Sequence, residues 1–136
     1  MYSPDNEGQE EAQELEYQEL EKSEVLKIYK ETCEEANIEP HEAFVAYLEE
    51  TYDENDQIDI IIQGNDKWNF TNRIDDKQLM VLCKTLRNFA IYIQEIDLRY
   101  NKITDFGAKA LAELISKAPR LLSLSLQGNN IKSEGA

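Results

Sequence analysis

The chain has 136 residues, 28 of them acidic and 14 basic, for a formal charge of −14. That length fits one domain able to bury a core. No apolar run reaches the ~20 residues a membrane helix needs, the start Met1–Glu7 has neither the basic nor the apolar region of a signal peptide, and the two cysteines, Cys33 and Cys83, form no disulfide framework of the secreted kind.

The charge is uneven. Residues 1–56 carry 19 acidic and 3 basic side chains, whereas residues 57–136 carry 9 and 11. Sequence-independent nucleic-acid binding needs a basic surface, and an anionic membrane repels the N-terminal part, so both are unexpected.

Residues 1–22 read as an acidic, disordered tail. Leu15, Tyr17 and Leu20 are its only sizeable apolar groups, too little burial to offset ordering entropy. Its plain role is solubility, and docking on a basic partner is the alternative.

Residues 23–56 read as a helical cap. Ser23 is the expected N-cap, and Val25, Ile28, Tyr29, Thr32, Cys33 and Ala36 recur at helical spacing. Asn37-Ile38-Glu39-Pro40 ends that helix, and Pro40 suits the first turn of the next. The second helix runs from His41 to about Thr51, with Phe44, Tyr47 and Leu48 on its inner side. Two such helices have no core of their own and must cover something. His41, the only histidine, lies at a helix start with no second ligand type around it, which suits a surface or capping role. Asp53–Asp59 resembles a calcium loop but fails it: Ile58 stands where the turn needs glycine, and Gly64 where the loop needs glutamate.

Residues 57–136 hold a repeat. Ile93, Ile96, Leu98 and Ile103 recur after 28 residues as Leu121, Leu124, Leu126 and Ile131. Asn101, Gly107 and Ala108 recur as Asn129, Gly135 and Ala136. The pattern LxxLxLxxN at a period of 20–29 marks leucine-rich repeats. Alternation of Ile96 and Leu98 with Asp97 and Arg99 gives a strand with one buried face. The asparagine sits where the chain leaves the strand, where its amide can satisfy backbone groups. Ala108, Leu111, Ala112, Leu114 and Ile115 then form a helical stripe, which Ala118-Pro119 ends. An earlier, degenerate unit aligns Ile60, Ile62 and Asn65 with Ile96, Leu98 and Asn101 at an offset of 36. Its helix, with Leu79, Met80, Leu82, Cys83 and Leu86, aligns at an offset of 29. The difference is an insertion that holds Trp68 and Phe70.

With its Asn-x-Ile, Gly-Ala and Ala-Leu-Ala segments, this unit resembles the ribonuclease-inhibitor class of leucine-rich repeat proteins, over residues 57–136. The resemblance implies an α/β solenoid with parallel strands on a concave face, helices outside and the helical cap at the N-terminal end. Members are intracellular and bind proteins on the concave face. They include ribonuclease inhibitors, GTPase-activating proteins, innate-immune receptors, actin-filament pointed-end cappers and ciliary or nucleolar proteins. Cysteine poverty separates this chain from the inhibitors, and the absence of a P-loop from the receptors. The implied function is a non-enzymatic, cofactor-free protein-binding scaffold, cytoplasmic, with a cytoskeletal or ciliary assembly such as the axoneme as one setting. A regulator of a small GTPase or an actin-filament end capper is the alternative. Stacking the strands lines up Asp59, Glu95 and Ser123, then Ile61, Asp97 and Ser125, then Gln63, Arg99 and Gln127, with Gly64, Tyr100 and Gly128 at the end. The expected partner-binding residues are Glu95, Asp97, Arg99, Tyr100, Ser123, Ser125 and Gln127, with Trp68 and Phe70 from the insertion. No metal site is expected. The last unit stops where its helix should begin, so the chain is expected to be part of a longer one, or to have its C-terminal edge covered by a partner.

Overall fold

A computed structural model describes residues 20–50, 56–65 and 72–132. In chain order these form α1 (Lys22–Glu35), α2 (Glu42–Glu49), β1 (Ile58–Ile61), α3 (Asp76–Leu86), a 3-10 helix (Arg87–Tyr92), β2 (Ile93–Asp97), α4 (Asp105–Ile115) and β3 (Ser123–Ser125). The strands make one parallel sheet in the order β1-β2-β3. Its register pairs Asp59, Ile60 and Ile61 with Glu95, Ile96 and Asp97, and Glu95, Ile96 and Asp97 with Ser123, Leu124 and Ser125. Those pairings are the offsets of 36 and 28 read from the sequence.

Inward strand residues Ile58, Ile60, Ile62, Ile96 and Leu98 are fully buried, with Leu79, Leu82 and Leu86 of α3 and Leu111 and Leu114 of α4. Helices thus cover one face of the sheet. Cys33 and Cys83 are buried free thiols, as expected of core residues. Burial pushes the Cys83 thiol up to about 12, and the nearby Glu113 adds to the shift.

Two side-chain ladders tie one unit to the next. Asn101 donates to the carbonyls of Ile62 (2.7 Å) and Leu98 (3.0 Å) and accepts from Ile74 N–H (2.8 Å). Asn129 repeats this one unit later, donating to Leu98 and Leu126 and accepting from Ile103 N–H. Asn65, aligned with them, is exposed. The ladder reaches back to the preceding strand, and β1 is the first strand of the sheet.

The second ladder uses aspartates. Asp75 caps its own helix in a capping box with Gln78. Asp76 reaches across to the start of α4, accepting from the N–H groups of Thr104 (2.7 Å) and Gly107 (3.2 Å) and from the Thr104 hydroxyl. Asp105, its counterpart at an offset of 29, accepts from Lys132 N–H at 2.7 Å. A Cβ at Gly107 would lie 2.5 Å from Asp76 Oδ1, so this glycine serves the close approach of two helices.

α1 packs on α3 and on α2. α1 starts at Lys22, with Glu21 rather than Ser23 at the N-cap position and no side-chain cap bond. Lys22 is buried, its ammonium 4.6 Å from the Tyr47 ring centre, and Leu20 N–H donates to Asp56. The helix thus begins two residues before a Ser23 cap would place it, and residues 1–19 lie outside the described residues. A Schellman pair ends α1: Asn37 at φ +57° donates to Glu34, and Ile38 to Cys33. Pro40 precedes the cap of α2 instead of entering its first turn. His41 is that cap, and it is buried, not on the surface. Its Nδ1 accepts from Ala43 N–H at 3.2 Å, so Nε2 carries the proton it directs at the Asn72 carbonyl, 2.8 Å away. Tyr29 meets Phe44 edge-to-face at 5.0 Å, and its hydroxyl accepts from His41 N–H. α2 ends at Glu49, short of Thr51. On α4, Ala112 faces out, so the buried stripe there is narrower than expected.

Candidate functional site

The sheet face away from the helices carries the rows that alternation predicts. Asp59 and Glu95 are half-buried and Ser123 is exposed. In the next row Ile61 is 50% exposed, Asp97 is buried and Ser125 is half-buried. Beyond the strands lie half-buried Gln63 and Arg99 and exposed Gln127. Trp68 and Phe70 lie outside the described residues.

Asp97 organises the middle of this face. Arg99 grips its carboxylate with two bonds of 2.9 Å, from Nε to Oδ1 and from Nη2 to Oδ2. Gln63 Nε2 donates to Oδ2 from the neighbouring unit, at 2.5 Å. Burial alone would raise the Asp97 pKa, but the bonds from Arg99 and Gln63 outweigh it and hold the carboxyl below its ordinary range. The hydrogen bonds and charge of Asp97 in turn push Arg99 up. Arg99 is therefore a bidentate partner of its own chain as well as a surface cation. With Asp59, Glu95 and Asp97 against one arginine, the face is net acidic.

Tyr100 ends the row. It sits at φ +62°, a left-handed conformation that glycine adopts freely and tyrosine does not. Gly128, its counterpart one unit later, has φ +79°. The flanking glycines are required by contact: a Cβ at Gly128 would lie 2.4 Å from the Tyr100 ring, and one at Gly64 only 1.8 Å from the Tyr100 carbonyl oxygen. The ring lies over Gly128 and remains 37% exposed. Gly64 N–H and Tyr100 N–H extend the sheet pattern to the carbonyls of Arg99 and Gln127, each at 2.9 Å.

Three members of this face stand in the rows read from the sequence but outside the expected partner-binding set. Ile61 is an apolar residue at an outward position, the signal being the unbroken Ile60-Ile61-Ile62 run. Gln63 is the cross-unit partner of Asp97, and Asp59 completes the first row. Among the described residues no cluster of histidine, cysteine or carboxylate side chains is arranged to hold a metal.

A family model for the leucine-rich repeat matches residues 90–112 and 119–136. These two segments are similar to leucine-rich repeats. The first match spans β2 and the first turns of α4, and the second spans β3. Repeats of this kind stack into extended surfaces that bind proteins. No curated protein matches the chain.

Proposed function

We propose that the chain is a non-enzymatic scaffold that binds a protein across the outward face of its sheet, with the helix pair α1–α2 capping the N-terminal end of a repeat solenoid. The contact residues are Ile61, Glu95, Asp97, Arg99, Tyr100, Ser123, Ser125 and Gln127. Tyr100 carries the reading. A non-glycine residue in the left-handed region costs about 1 kcal/mol, and the turn itself can be made by glycine, as Gly128 does one unit later. Retaining a half-exposed aromatic ring there is a local strain of the sort found where a surface does work. Tyrosine and arginine are also enriched among residues that dominate binding. The acidic rows and the apolar Ile61 suit a partner surface that is basic around an apolar centre. Because the Asp97–Arg99–Gln63 network holds the face in place beforehand, little ordering is needed on binding.

The test uses the full chain as bait and quantifies retained proteins for the parent and three variants. Ile61→Lys and Tyr100→Gly should each reduce recovery of the same protein by about tenfold, the scale of one dominant contact. Lys109→Glu, on the exposed side of α4, should leave it unchanged. Recovery that ignores both sheet variants contradicts the reading. By the same proposal the chain works in a cytoplasmic assembly, cytoskeletal or ciliary, which imaging of a tagged chain against an axonemal marker checks.

A further inference from the structure

On the opposite side of the molecule, α1, α3 and α4 leave a groove of about 520 Å³ between them. That volume lies within the range of pockets that seat ligands. Its apolar lining comes from Ala36, Met80, Val81, Cys83, Ala110 and Leu114. Met80 is 51% exposed, an unusual place for a long apolar side chain on a helix and a soft one to pack against.

The charge around this lining is the informative part. Lys77, Lys84, Arg87 and Lys117 stand at the groove, against only Glu35 and Glu113. Lys84 and Glu35 pair at 3.7 Å on the surface. Among the described residues Lys77, Arg87 and Lys117 have no ion-pair partner. A chain of net charge −14 thus keeps a cluster of unpaired cations around one apolar groove.

We propose that this groove is a second docking site, and that its occupant is an acidic protein segment that inserts an apolar side chain between α3 and α4. The carboxylates of the segment pair with Lys77, Arg87 and Lys117, and its apolar side chain packs on Met80, Val81 and Leu114. The apolar lining favours a peptide over a nucleic acid, whose backbone needs only the cations. The concave shape favours it over a bilayer surface. The site is separate from the sheet face and does not depend on what binds there.

The chain has two methionines, Met1 and Met80, so methyl labelling gives a resolved reporter in the groove. The experiment titrates the full chain, ¹³C-methyl-labelled at methionine, with a short synthetic glutamate–leucine peptide whose leucines are at helical spacing. A lysine–leucine peptide is the control. The expected result is a saturable shift of the Met80 methyl with the acidic peptide only. The double reversal Lys77→Glu/Lys117→Glu should weaken that binding about tenfold, and Arg87→Ala should weaken it in the same direction. All three positions are exposed, and an unchanged thermal melt verifies the fold of each variant. A stationary Met80 methyl, equal shifts with both peptides, or affinity unchanged by the charge reversals would overturn the proposal. So would tighter binding of anionic vesicles or of a single-stranded oligonucleotide than of the peptide.

Discussion

Asn101 illustrates how one side chain holds two units together. Its amide serves two carbonyls and one N–H that the turn leaves without backbone partners, and it is 5% exposed. Asn101→Ala should therefore destabilise the chain by about 3 kcal/mol, since several buried polar groups lose their partner together. Asn129 makes the same bonds in a half-buried setting where water can replace them, so Asn129→Ala should cost only about 1 kcal/mol. Urea unfolding of both variants measures the difference. Asp97 adds a pH dependence. Its folded pKa is depressed by Arg99 and Gln63, so its contribution is fully present above the unfolded value of about 4 and is lost as pH falls through the folded value. Asp97→Asn should lower stability at pH 7 by about 1 kcal/mol, and the gap from the parent should close as the solution is acidified through the folded value, below the ordinary carboxylate range. A gap that stays constant with pH would mean that the Arg99 bridge adds nothing to folding.

At the scale of the elements, the junction of α3 and α4 sets two ordinary preferences against each other. Alanine in place of a helical glycine usually gains about 1 kcal/mol. At Gly107 the added Cβ would meet Asp76 Oδ1 at 2.5 Å and Ile103 at 3.0 Å, displacing the carboxylate that caps α4. Gly107→Ala should therefore be destabilising by about 2 kcal/mol. In an Asp76→Ala background the same change should become neutral or stabilising, and a double-mutant cycle reads that coupling. The strands, their register and the asparagine positions were legible in the sequence because a period of two and a unit of 28 residues leave few alternatives. The reach of Asp76 into the next unit was not, because a capping aspartate looks local; the matching Asp105 was the available signal. Ser23 misled for the opposite reason. Its capping preference is local, whereas α1 starts at Lys22, which is buried with its ammonium over the Tyr47 ring. The left-handed turn at Tyr100 could be found only by aligning it with Gly128.

Over the whole molecule, the sheet face is acidic and the outer helix groove is basic, so the two sides suit partners of opposite charge. The sheet is also unequal along its length. Ile60 and Ile96 are 2% and 0% exposed, whereas Leu124 in the same register is 44% exposed, with Leu122 and Phe106 at 83% and 75%. β3 is held mainly by its pairing with β2, and strands with little apolar cover open first. In native-state hydrogen exchange, the Leu98 and Tyr100 amides, which donate to Ser125 and Gln127, should exchange well before the Ile62 amide, which donates to Asp97. The most direct check on the sheet face as the binding surface is site-specific photo-crosslinking of the full chain in cells. Crosslinkers at Glu95 and Ser123, in adjoining units of one row, should capture the same protein, while one at Lys109 should not. Capture of that protein from Lys109 with none from Glu95 or Ser123 would contradict the assignment.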